Sequence, residues 1–205
     1  MSNETTKKPI IFIDFGGVYF RSSYPIIHKK FAKRFNLPFK RLHDVYMKNW
    51  ELHATGKMTS KQYWKYISSE LNLSERQTEQ LRRAIFSYSK PNPGMLKLIR
   101  KLKKKYTVVA LSSITSEWTE ALEKRYAISK HFHQCHYTFD HGCDKPDAGF
   151  FMSAAKKMRV EPQDCIVVDD WNIFLAGVKK TGARVVVFKN SAQLEKDLIK
   201  LDVKA

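Results

Sequence analysis

In Ile10-Ile11-Phe12-Ile13-Asp14-Phe15-Gly16-Gly17-Val18 an apolar run closes on one carboxylate, and two glycines follow it at once. A buried strand of β-branched and aromatic residues gains nothing in packing from an anion at its carboxyl end. Glycines at that point let a ligand approach the backbone. Ligands bind at the carboxyl ends of strands in open α/β sheets, so Asp14 reads as a nucleophile or a metal ligand.

Working outward, the first run extends from Pro9 to Phe15, and four more follow: Tyr106 to Ser112, Gln134 to Phe139, Cys165 to Asp169 and Arg184 to Phe188. Helix-like segments separate them. That alternation predicts an α/β fold, a Rossmann-like three-layer core on a parallel five-stranded sheet. About 90 residues lie between the first run and the second, whereas a βαβ crossover needs only about 30. The excess is helical in period: Ile26-Ile27, Phe31, Phe35; Leu42, Val45, Tyr46, Trp50; Tyr63, Trp64, Ile67; Leu81, Ala84, Ile85. Pro38, Gly56 and Pro91-Asn92-Pro93-Gly94 punctuate it. The expected organisation is a discontinuous core over residues 9–20 and 91–205, a small all-α cap inserted after the first strand over residues 21–90, and a flexible polar tail over residues 1–8. Leu194, Leu198 and Leu201 share a helical face and predict a terminal helix.

The 205 residues suffice for one well-buried core with an insertion, and 43% hydrophobic and 13% aromatic content is that of a globular protein. No apolar run approaches the roughly 18 to 20 residues of a membrane span, and the amino-terminal residues lack the apolar stretch of a secretory signal. A cytoplasmic location with no membrane partner is expected. Three cysteines, Cys135, Cys143 and Cys165, form no C-x-x-C pair and are expected as free thiols. The net charge of +17 favours anionic partners. Its densest run, Lys101 to Lys105, continues an amphipathic helix and reads as a solvated face; no helix-turn-helix, zinc-finger or RNA-binding motif makes nucleic acid the leading partner. Fifteen basic and five acidic side chains between Phe20 and Lys90 make the cap basic, which suits an anionic substrate.

Later strand ends are also polar. Val108-Val109-Ala110-Leu111 delivers Ser112-Ser113, hydroxyls able to bind a phosphoryl oxygen or to serve in a turn. Gly142-Cys143-Asp144-Lys145-Pro146-Asp147 places a lysine before a proline, and Ile166-Val167-Val168 ends in Asp169-Asp170. Asp170 is also suited to cap a helix over Trp171 to Lys180.

In order and spacing these residues resemble the haloacid dehalogenase-like (HAD) hydrolase superfamily over Pro9 to about Lys189, specifically the helical C1-cap (subfamily I) phosphatase branch with Asp-x-Gly-Gly in the first motif. The resemblance implies an Mg²⁺-dependent phosphomonoester hydrolase. Asp14 would be the nucleophile, Ser112, Ser113, Lys145 and Gly17 would bind the phosphoryl group, and Asp14, Gly16 (through its carbonyl), Asp170 and Asp169 would hold the metal. The chemistry is coherent, because a carboxylate attacking anionic phosphorus needs cations to neutralise both. The implied partner is a small phosphorylated metabolite.

The chain departs from the family at Gly16, where phosphatases carry a second aspartate as general acid and base. Glycine retains the carbonyl but removes the proton donor, which predicts slow turnover or a leaving group needing little protonation. His53, Lys57 and Tyr63 are candidate replacements in the cap. Phe174 stands where the family often has Asp or Asn. Two further readings remain open: a catalytically weak or inactive protein binding through its basic cap, and a 2-haloacid dehalogenase, which also lacks the second aspartate. His131, His133, Cys135 and His136 form a weaker zinc candidate, the first three sharing a face if the segment is a strand. Cys143 has no paired base in sequence.

Overall fold

The structure, a computed structural model, describes residues 8–21 and 24–204. The polar tail expected over residues 1–8 falls, apart from Lys8, outside the described residues. Five strands, β1 (Ile10–Ile13), β2 (Val108–Ser112), β3 (Gln134–Tyr137), β4 (Cys165–Asp169) and β5 (Arg184–Val187), form one parallel sheet in the order β3-β2-β1-β4-β5. The fold is the predicted Rossmann-like α/β fold. Four strands stop short of the predicted runs at one or both ends, because residues such as Pro9, Phe139 and Phe188 lie beyond the ladder.

Helices α1 (Tyr24–Phe35), α2 (Phe39–Lys48), α3 (Trp50–Ala54), α4 (Ser60–Leu71) and α5 (Glu75–Tyr88) lie between β1 and α6 (Pro93–Leu102). After β2 come α7 (Ser116–Tyr126), α8 (Gly149–Met158), α9 (Asn172–Lys179) and α10 (Ser191–Lys200). Local chemistry fixes their starts. Thr59 and Ser74 form capping boxes with Gln62 and Gln77, and Asn92 caps α6 ahead of Pro93. One sequence expectation fails here. Trp50 does not continue the helix of Leu42 and Tyr46, because Asn49 (φ −112°, ψ 16°) ends α2 and opens α3. Asn is a weak helix former whose side chain competes for the backbone.

The helical stretch leaves and rejoins the sheet domain through paired backbone. Arg21 N–H donates to the Lys90 carbonyl (3.0 Å), Asn92 N–H to the Tyr19 carbonyl (2.8 Å), and Phe20 bridges Pro91. Strand side chains alternate between two apolar layers. Ile11, Ile13, Ala110 and Val168 join the layer that runs into α6, α10 and the inserted helices, while Phe12, Leu111 and Val167 pack with Phe150, Phe151 and Phe174. Burial of each large apolar side chain contributes roughly 1.5–3 kcal/mol. The chain moves outward from β1 through β2 and β3, then returns to the other side of β1 for β4 and β5. The crevice at that reversal lies at the carboxyl ends of β1, β2 and β4.

Candidate active site

Asp14 follows β1, Ser112 ends β2, Asp169 ends β4, and Lys145 arrives from the loop after β3. Four separate elements thus deliver side chains to one crevice. The Lys145 Nζ donates to Asp14 Oδ1 and to Asp169 Oδ2, each at 2.6 Å, and to the Leu111 carbonyl at 3.3 Å. It also sits 4.7 Å from the centroid of the Phe174 ring. Phe174 is fully buried and serves as an aromatic floor for the ammonium.

One oxygen from each of Asp14, Asp169 and Asp170 lies within 4.8 Å of the others, the one such cluster of His, Cys, Asp or Glu among the described residues. A single ammonium faces three carboxylates. Burial pushes the Asp14 carboxyl up to about 7; Lys145 opposes the rise, and the charges of Asp169 and Asp170 add to it. Asp170 is raised by burial and by Asp169. Burial alone would lower Lys145, yet Asp14 and Asp169 outweigh it and hold the ammonium above the ordinary lysine range. The surplus of negative charge and the all-oxygen donor set fit a hard divalent cation such as Mg²⁺.

The two adjacent aspartates differ in commitment. Asp169 is buried, with Oδ2 on Lys145 and Oδ1 accepting from Trp171 N–H at 2.7 Å. Asp170 is the open carboxylate of the pair. It does not cap a helix as its sequence position allowed: α9 starts at Asn172, after Trp171, and the N–H of Trp171 is taken by Asp169. Gly17 (φ +79°) lies against Asp170, and a Cβ there would fall 2.0 Å from Asp170 Oδ2. Gly16 has room, the nearest heavy atom to a Cβ being Asp14 Oδ2 at 3.8 Å.

Ser112 is buried at the end of β2. Ser113 differs from its expected use, since its hydroxyl donates to Asp144 Oδ1 (2.5 Å) and accepts from Trp50 Nε1 (3.2 Å). The candidate general acids in the helical stretch are placed as follows. His53 is buried, stacks on Tyr63 with ring centroids 4.3 Å apart, and turns Nδ1 to the Met58 carbonyl. Tyr63 is fully buried and donates to the Tyr46 carbonyl. Both are packing residues, while Lys57 is exposed beside Gly56.

The zinc candidate does not assemble. His131 lies in a 3-10 turn, not a strand, and pairs with the Tyr19 hydroxyl; His133 Nδ1 accepts from Val108 N–H; His136 pairs with His141. The Cys143 thiol is raised by burial, which disfavours a thiolate nucleophile. Sequence reasoning missed the Trp50–Ser113 contact and the seat of Lys145 on Phe174. Neither spacing nor residue type carries a signal for contacts 63 and 29 residues apart.

The profile of haloacid dehalogenase-like hydrolases matches residues 9–172, and the chain belongs to that family. No curated protein sequence matches it. Among solved structures, the fold is similar to the HAD family enzyme BT-2542 from Bacteroides thetaiotaomicron, at 18% identity over 90% of this chain and 95% of that one, TM-score 0.77. That enzyme has also been crystallised with magnesium and inorganic phosphate. A protein from Porphyromonas gingivalis described as a predicted HAD-like family hydrolase is similar at 14% identity, covering 98% of this chain and 100% of that one, TM-score 0.77. So is the L-2-haloacid dehalogenase from Xanthobacter autotrophicus, at 13% identity, 97% and 85% coverage and TM-score 0.65. No helix among the described residues is long and apolar enough to cross a membrane.

Proposed function

We propose that the protein is an Mg²⁺-dependent phosphomonoester hydrolase that acts through an aspartyl-phosphate on Asp14. The observation that carries this reading is the cluster of Asp14, Asp169 and Asp170, of which Asp14 and Asp169 share one lysine, an arrangement with more negative charge than its ammonium balances. Asp14, Asp170 and the Gly16 carbonyl would hold the ion, with Asp169 as its neighbour. When bound, the cation supplies charge that neutralises the carboxylates and the phosphoryl oxygens.

Lys145 occupies Asp14 Oδ1, while Oδ2 faces the Gly16 turn and is the oxygen left to attack. Attack forms an O–P bond to Asp14 as the bond from phosphorus to the leaving oxygen breaks. Ser112 and Lys145 hold the phosphoryl oxygens. Water then attacks phosphorus, releasing inorganic phosphate and restoring the carboxylate. Gly16 offers no proton to the departing oxygen, so the favoured substrates are those with a good leaving group, such as a sugar-1-phosphate or an acyl phosphate. On this reading the helical stretch over residues 21–90 is a C1-type cap that selects the substrate by shape and positive charge, and the Asp-x-Gly-Gly pattern supports assignment to the corresponding phosphatase branch.

A second reading, carbon–halogen hydrolysis, draws on the same missing aspartate and on the likeness to the Xanthobacter autotrophicus enzyme. The Asp169-Asp170 pair favours phosphate chemistry. A panel of phosphorylated metabolites assayed with Mg²⁺ and with EDTA separates the two. Phosphate release that requires Mg²⁺ is expected, and halide release from a 2-haloacid insensitive to EDTA overturns the reading.

A further inference from the structure

The contact between Trp50 and Ser113 joins the helical insert to the lysine of the active site. Trp50, the first residue of α3 and largely buried, donates from Nε1 to Ser113 Oγ at 3.2 Å. Ser113 follows the last residue of β2, and its hydroxyl donates a hydrogen bond to Asp144 Oδ1 at 2.5 Å. That same Asp144 oxygen accepts the backbone N–H of Lys145 at 2.8 Å. Asp144 is itself buried. The far end of α3 is fastened as well, since the fully buried Thr138 hydroxyl donates to the Ala54 carbonyl at 2.8 Å. Both ends of this five-residue helix are therefore tied to loops that follow β2 and β3.

We propose that Trp50 is a positioning residue: seated on Ser113, it orders Asp144 and thereby the backbone from which Lys145 reaches Asp14 and Asp169. The physical reason lies in the hydroxyl. Ser113 can aim its proton at Asp144 most effectively when its lone pair is engaged by another donor, and the indole N–H is that donor. Asp144 then presents one fixed oxygen to the Lys145 amide. When α3 lifts away, Ser113 is free to rotate, Asp144 loses a charge-assisted hydrogen bond, and the lysine backbone loosens. The site becomes fully ordered when the insert is seated over it. This rests on Lys145 being catalytic, as proposed above.

The test reads the Lys145 amide directly, independently of turnover. In Trp50→Phe, which keeps an aromatic ring but no N–H, hydrogen exchange at the Lys145 amide rises by roughly fivefold or more. Ser113→Ala does the same, and Ser113→Thr, which keeps the hydroxyl, restores protection. In turnover, Trp50→Phe and Ser113→Ala each lower kcat roughly three- to tenfold with little change in KM, and the double variant is no worse than either single one. Unchanged exchange at Lys145 in Trp50→Phe and Ser113→Ala, alongside faster exchange in Asp144→Ala, overturns the proposal. If Trp50→Phe does not fold, the Ser113 pair decides in the same way. Absence of any phosphate turnover in the unsubstituted protein counts against the proposed function, and the exchange result still decides the coupling.

Discussion

Gly17, rather than Gly16, is the glycine that the backbone after Asp14 requires. Its φ of +79° is strained for any residue with a side chain, and a Cβ would strike the Asp170 carboxylate. Gly17→Ala should therefore displace Asp170, cost about 1 kcal/mol of stability or more, and raise the Mg²⁺ concentration for half-maximal turnover roughly tenfold or more. A Mg²⁺ titration showing no shift would contradict this. Gly16 is different, because a side chain there meets Asp14 Oδ2 only at ordinary contact distance. Gly16→Asp should fold and should speed hydrolysis of alkyl phosphates, whose leaving oxygens need a proton, by about 10²-fold or more. Acyl phosphates should respond little. Equal gains on both classes would show that proton transfer is not what Gly16 removes. Two neighbouring glycines look identical in sequence, and their difference appears only where Asp170 meets one of them.

Among the elements, the α1–α2 pair carries a built-in acid sensitivity. The His28 ring is fully buried, with Nδ1 2.9 Å from Nδ1 of His43 and the ring packed on Tyr46. Burial lowers its pKa to about 3, with His43 adding to the effect. The folded value lies below the ordinary 6.5, so the unfolded chain binds the proton first. Its contribution is whole above pH 6.5 and is lost as pH falls from there toward about 3, at about 1.4 kcal/mol per pH unit. Lowering pH from 7 to 5 should reduce Tm, and His28→Leu should flatten that dependence. An equal slope in both proteins would rule out His28 as the source. The helices of this pair were legible from their apolar periodicity, as were the five strands from the short runs that alternate with helix-like segments. The break at Asn49 was not, because apolar spacing continues through it from Tyr46 to Trp50. That break starts the helix that carries Trp50 to Ser113.

Over the whole molecule, the order β3-β2-β1-β4-β5 gathers into one crevice residues as far apart as Asp14 and Asp170. This convergence was legible, since a parallel sheet places every strand end on the same side, and Asp14, Ser112, Lys145 and Asp169 each follow or end a strand. What escaped the sequence is how the groups divide their work. Ser113 is committed to Asp144 and Trp50, Asp169 to Lys145 and Trp171, and Phe174 to the lysine, leaving Asp170 and one oxygen of Asp14 open. Those assignments depend on pairwise contacts that no spacing encodes. The central claim is that Asp14 takes the phosphoryl group. Its most direct test is to mix the protein with acetyl phosphate and Mg²⁺, quench in acid, and analyse the peptide containing Asp14 by mass spectrometry. A phosphoryl adduct on Asp14, absent from Asp14→Asn and from the EDTA control, is the predicted result; phosphate release that persists undiminished in Asp14→Asn with no adduct would contradict it.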